Sequence, residues 1–232
     1  MRRVYLEKIW RERFSRFAKT YNEDHLIAGW SQEGLKKRLE KYVKIITDLE
    51  LPYNIKILDA GCGPGTYCRT LKNLNYQNII GIDYSWPVLK KAKERSPRVI
   101  YINANIYQLP FKKNIFDHIL CIGVLQSISD ELNLIKELKR VLKPNGILVI
   151  GILNKDELYY KIKKRKQASL DDVRRYSIIE FRNKLENQHF EILGTEYIVI
   201  LPNMLRWLPS IFFRNRWFAH SIFYLCRKKY AS

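Results

Sequence analysis

At residues 55–73 an apolar run enters three glycines at alternate positions, Gly61, Gly63 and Gly65, and leaves them as a helical stretch. Glycine lets the backbone turn sharply and lets a ligand come close to the main chain. The same strand-then-helix rhythm continues downstream. Strands are predicted at 55–59, 79–83, 99–102, 116–122 and 147–153, with helices at 66–73, 86–95 and 130–142. The last helix is closed by an expected turn at Lys143, Pro144, Asn145 and Gly146. Strands alternating with helices of this length make a parallel sheet with helices on both faces. Ligands on such sheets bind at the carboxyl ends of the strands. That rule directs attention to residues 59–65, 83–86, 103–106 and 121–127.

The glycine turn excludes two phosphate loops. A dinucleotide fingerprint needs glycine at its first, third and sixth positions. Here the sixth is Thr66, and Gly65 falls one place early. Pro64 also removes an N–H that a phosphate would use. A Walker loop needs Gly-Lys-Ser/Thr, which is absent. The turn suits a cationic, non-phosphate ligand. Asp59 ends the first strand, where a carboxylate can hold an amino group directly or through water. Asp83 ends the second strand, placed to accept from both hydroxyls of a ribose.

Hydrophobic residues make up 47% of the 232, enough to bury a full core, and 28% are charged. The net charge of +19 attracts polyanions such as nucleic acid, anionic membrane or an acidic substrate. Compositional bias and a solvated lysine surface are the plainer explanations. The four cysteines have no CxxC spacing, so no metal site is expected. No stretch of about 18 uncharged apolar residues predicts a membrane span. The N-terminus lacks the apolar region of a signal peptide. The expected location is cytoplasmic.

The segment ILDAGCGPGT at 57–66 resembles motif I of the class I S-adenosylmethionine-dependent methyltransferases, and GIDYS at 81–85 resembles their motif II. NANIYQLPFKKNIFDHIL is similar to the family's GDAExLPFxxxxFDxV, and LKRVLKPNGILVIG to its RVLKPGGxLxI. CIGVLQSISD resembles the segment after the fourth strand. FAKTYN near the N-terminus resembles the FDxxAxxYD entry of small-molecule members such as quinone-biosynthesis C-methyltransferases. The resemblance spans roughly residues 14–195. It implies an α/β, Rossmann-like, seven-stranded methyltransferase fold: a mostly parallel sheet with helices on both faces and an N-terminal helical lid. The lid would comprise residues 1–50, and the cofactor-binding domain residues 51–232. The implied cofactor is S-adenosyl-L-methionine, with S-adenosyl-L-homocysteine as product.

Carried over residue by residue, Asp59, Gly61 and Gly63 would line the methionine end, with Cys62 and Gly65 also at the cofactor. Asp83 would bind the ribose beside Ser85, and Tyr84 would pack on the adenine. Asn105 replaces the family's usual acid and could accept from the adenine amino group through its side-chain oxygen. Ile106 would close the other adenine face, Cys121 would lie near the methionine moiety, and Tyr21 would cover the cofactor from the lid. Ordinary packing is the competing reading for Tyr84, Ile106 and Cys121.

No loud catalytic motif exists. His25 and His220 could face an acceptor, although surface or packing roles compete. His118 reads as structural and His189 as a turn residue. Gln126 stands where many members have histidine. No Asn/Asp-Pro-Pro-aromatic motif marks an amino-directed nucleic-acid enzyme. The expected reaction is methyl transfer to a small or amphiphilic organic acceptor, with RNA or protein as the alternative. A substrate-side cap is expected at 196–218, and its apolar, arginine-dotted stretch 202–218 lies between strands expected at 190–201 and 221–227, after a helix at 177–187. It carries Trp207, Trp217, Phe212, Phe213, Phe218, Arg206, Arg214 and Arg216. That mixture of aromatics and cations suits an anionic membrane surface or an amphiphilic substrate. The partners implied are thus a small-molecule or lipid-like substrate, and the oligomeric state is left open.

Overall fold

The computed structural model describes residues 2–166, 173–200 and 216–229. Three helices come first: α1 (Arg2–Thr20), the one-turn α2 (Asp24–Ile27) and α3 (Gln32–Asp48). The chain then alternates through β1 (Lys56–Ala60), α4 (Thr66–Asn73), β2 (Asn78–Asp83), α5 (Trp86–Arg95), β3 (Ile100–Asn103), β4 (Phe116–Cys121), α6 (Glu131–Val141) and β5 (Leu142–Leu153). It continues with α7 (Leu158–Lys166), α8 (Ile178–Asn187), β6 (Phe190–Val199) and β7 (Ala219–Lys228).

The seven strands form one sheet in the order β3-β2-β1-β4-β5-β7-β6. The five strands from β3 to β5 pair in parallel, and β7 runs antiparallel to both β5 and β6. This is the mostly parallel sheet that the motifs imply. Alternate strand residues feed two cores. Leu58, Ile119 and Leu148 pack with Leu134, Leu138 and Phe181 on one face. Ile57, Leu120 and Val149 pack with Ile46, Leu71 and Leu89 on the other. Each such buried aliphatic side chain contributes about 1.5–3 kcal/mol.

Local chemistry sets the helix starts. The Ser31 hydroxyl accepts from Gly34 N at 3.1 Å and caps α3. The Asp130 carboxylate accepts from Asn133 N at 3.1 Å and caps α6. His118, fully buried in β4, contacts Tyr42 Oη at 2.9 Å and Ile147 O at 3.0 Å. Burial pushes its pKa down to about 4, so it is a neutral structural group.

The sequence reading departs from the fold in places. The expected turn at 143–146 lies inside β5, where the pairing with β4 shifts register between Phe116 and His118. Asn145 takes a left-handed φ of 58° there, so turn-forming residues are absorbed as an irregularity within a strand. The polar stretch between α1 and α3 contains the one-turn α2. The aromatic and arginine-rich residues 201–215, most of the expected cap, lie outside the described residues. At its described end, Trp217 carries Arg216 and Lys161 over its ring at 4.7 and 5.5 Å.

Candidate functional site

The strand order reverses direction on either side of β1, which neighbours both β2 and β4. Loops from the two strands part there and leave a crevice. A cavity of about 570 Å³ opens at these carboxyl ends, and residues of α1, α2 and α3 complete its wall.

The glycine turn forms one side. Gly61 N and Cys62 N donate to Ile82 O at 2.9 and 2.8 Å, which ties the turn to β2. Gly61 has φ 83°, and a Cβ there would lie 2.2 Å from Val124 Cγ2. Gly63 has φ 52°, and a Cβ there would meet nothing within 4 Å. Gly63 therefore faces open space on the cavity wall.

Asp83 is fixed by the same turn. Its Oδ2 accepts from Gly63 N at 3.0 Å and its Oδ1 from Ser85 N at 2.9 Å. Burial pushes its pKa up to about 6, against the pull of those N–H groups and of Arg11. Each oxygen keeps lone-pair capacity for a further donor. Asp59 is 2% exposed and accepts from Cys68 Sγ at 3.2 Å. Burial pushes it up to about 7, and the neighbouring Asp83 charge adds to the rise.

On the next wall, Tyr84 has the Arg11 guanidinium 5.7 Å from its ring centre, and Arg11 Nη2 donates to Tyr84 O at 3.1 Å. Asn105 Oδ1 already accepts from Tyr107 N at 3.0 Å, leaving one lone pair. Glu7, from α1, accepts from the Tyr107 hydroxyl at 2.7 Å and from Ser129 N at 3.2 Å.

Of the residues expected at the cofactor, Gly61, Cys62, Gly63, Asp83, Tyr84, Asn105 and Ile106 line one cavity. The others lie off its wall. Asp59 and Cys121 are buried in the sheet. Gly65 caps α4, and Ser85 starts α5 with its hydroxyl 2.9 Å from Ser15 Oγ. Tyr21 packs against Phe17 and the cluster of Ala18, Ile27 and Val88 instead of over the cavity. His25 sits in α2 with its carbonyl accepting from Trp30 N at 2.7 Å. His220, in β7, has Nδ1 3.1 Å from Glu157. Sequence reasoning missed Glu7, Arg11, Trp30 and Tyr67 on the wall. A signal existed for the first two, because positions 7, 11 and 14 share one face of α1.

The donor set fits a nucleoside joined to an amino acid. A carboxylate with spare acceptor capacity ends β2, and the glycine turn is open at Gly63. Pro64 and the buried acid Asp59 disfavour a pyrophosphate. Comparison with known proteins agrees. Residues 58–150 match the family model described as a methyltransferase domain. An uncharacterised protein of Methanocaldococcus jannaschii is 32% identical over 173 residues, covering 75% of this chain and 68% of the relative. A demethylmenaquinone methyltransferase of Staphylococcus aureus is 28% identical over 59% of this chain, and the chain spans only 56% of that relative. The fold is similar to magnesium protoporphyrin IX methyltransferase of Synechocystis PCC 6803 with bound S-adenosylhomocysteine. Its TM-score is 0.71 at 17% identity, covering 97% and 100% of the two chains. The chain belongs to the class I S-adenosylmethionine-dependent methyltransferases, with S-adenosylmethionine as its cofactor.

Proposed function

We propose that the protein transfers a methyl group to a small or amphiphilic organic acceptor seated in the cavity beside the cofactor. The observation that carries this reading is the wall contributed by the N-terminal helices and the end of β4. Phe14, Ile27, Trp30, Leu35, Ile122 and Ile128 make it largely apolar. An apolar cavity wall suits a small molecule that can enter the cavity. The demethylmenaquinone methyltransferase among the relatives supports the same class of acceptor.

When bound, S-adenosylmethionine supplies an electrophilic sulfonium methyl group for in-line displacement. The chain's own residues bind, orient and exclude water. Asp83 would hold the ribose, and Gly63 would let the ligand approach the main chain. Asp59 would favour the cationic end through its charge. Tyr84, Asn105 and Ile106 would enclose the adenine. Glu7 and Arg11 hold α1 against the loops after β2, β3 and β4, which shields the cavity from water and fixes the reacting groups. Residues 1–50 would thus act as the lid over the site.

An RNA acceptor is the second reading, carried by the net charge of +19. Transfer of tritiated methyl groups to a cell extract, fractionated into RNA, protein, lipid and small molecules, separates the two. Label in the lipid or small-molecule fraction supports the first reading, and label in RNA or protein overturns it.

A further inference from the structure

A surface helix ordinarily turns its apolar residues to the core and its charges to water. The helix α7, with the sequence LYYKIKKRK, does the reverse with its apolar residues. Leu158 and Ile162 are one turn apart, and Tyr159 lies beside them on the same face. They are 45%, 48% and 49% exposed. The opposite face holds the helix to the protein. Glu157, just before α7, is buried, pairs with Arg175 at 3.0 Å and faces His220 at 3.1 Å. The same Arg175 guanidinium lies 3.9 Å from the centre of the Tyr160 ring.

The start of β7 extends this outward face. Leu158 N donates to Trp217 O at 2.8 Å, and Trp217 is 44% exposed. Arg216 and Lys161 lie over its ring, so the aromatic sits among cations. The charge of the region has one sign. The sequence of α7 carries five cations and no acid. Of the two acids just before it, Asp156 pairs with Lys161 at 3.5 Å, and Glu157 is turned inward.

Exposed aliphatics beside a half-exposed tryptophan, set among lysines and arginines, match the interface of an anionic bilayer. Acyl chains take the apolar side chains, and headgroup phosphates take the cations. A nucleic-acid face pairs cations with stacking aromatics and has no use for exposed leucine and isoleucine. A second copy of this face would set cations against cations. Position adds to the fit. Leu153, at the end of β5, pairs with Ser221 near the start of β7, and β5 runs parallel to β4. The face therefore lies at the end of the sheet where the cavity opens.

We propose that α7 and Trp217 form a docking surface for an anionic membrane, with Leu158, Tyr159 and Ile162 entering the interface and Lys161 and Arg216 meeting the headgroups. Docking turns the cavity end of the sheet towards the bilayer.

Co-sedimentation of the full chain with vesicles tests this. One set is phosphatidylcholine alone, and the other is phosphatidylcholine mixed with phosphatidylglycerol. The wild type should sediment with the anionic set, hardly with the neutral one, and less as salt is added. Leu158→Ser/Ile162→Ser leaves the charge unchanged and should weaken binding roughly tenfold or more, as should Lys161→Glu/Arg216→Glu. Binding that survives the serine pair and falls only with charge reversal overturns the apolar contact. A wild type that ignores anionic vesicles but binds transfer RNA through the same cations makes the face a nucleic-acid surface and overturns the bilayer. Tryptophan quenching by brominated acyl chains keeps the test alive if a variant unfolds. The wild type should be quenched and Trp217→Phe much less so. Equal quenching of both places the contact elsewhere and overturns this surface.

Discussion

Asp83→Ala should separate affinity from stability. The carboxylate accepts two backbone N–H groups, from Gly63 and Ser85, and those donors lose their acceptor in the variant. Each stranded donor costs about 1–3 kcal/mol where it is buried. Deleting the acid also brings relief. Burial holds its pKa at about 6 instead of 3.8. That difference is worth at most about 3 kcal/mol against the folded, ligand-free protein above pH 7. The two effects oppose each other at similar size, so thermal stability at pH 8 should change little. Cofactor affinity has no such compensation. Losing hydrogen bonds from ribose hydroxyls to a charged acceptor should weaken S-adenosylhomocysteine by about 1.5–3 kcal/mol, roughly 10- to 150-fold in Kd. Calorimetry at pH 8, paired with a melting curve, reads both quantities. A folded variant that binds within about twofold of wild type would refute the ribose assignment.

Three further outcomes follow from the same geometry. Asp59 is raised by burial to about 7, so its contribution to stability is full below about pH 4 and is lost as pH rises through 7. Asp59→Asn should therefore melt progressively higher than wild type between pH 5 and pH 8, while binding S-adenosylmethionine more weakly; a melting difference independent of pH would contradict this. Gly63→Val should keep most of the fold, because its Cβ meets no protein atom within 4 Å, yet lose cofactor binding; normal binding would move the ligand elsewhere. Glu7→Ala removes the acceptor of the Tyr107 hydroxyl and Ser129 N and should speed S-adenosylhomocysteine release in stopped-flow, whereas an unchanged off-rate would deny α1 a role in retention.

The sheet and the crevice lined by the glycine turn and Asp83 were legible because they rest on local rules. Gly61 and Gly63 need left-handed φ, and Asp83 follows an apolar run, so spacing alone placed them together. The remainder depends on contacts between distant residues. The short α2 is tied down by Asp24 pairing with Arg69 and Arg95, which nothing near Asp24 in the chain announces. Glu7 and Arg11 look like solvent-facing charges until α1 lies across the cavity. Trp30 lies in a polar connection and Tyr67 in a short helix, and only packing shows that they form its wall. Tyr21 and Ser85 are neighbours of the site in sequence, but their side chains turn to α1, α2 and α5 instead. Pro144 and Asn145 carry turn chemistry that is taken up as a register shift in the pairing of β5 with β4.

The central claim is that the crevice beside β1 and β2 holds S-adenosylmethionine and not a dinucleotide. Parallel calorimetric titrations of the purified protein with S-adenosylhomocysteine and with NAD test it most directly. One S-adenosylhomocysteine should bind per chain, at least about tenfold more tightly than NAD and competed by S-adenosylmethionine. Tighter binding of NAD, or no binding of S-adenosylhomocysteine by the folded protein, would contradict it.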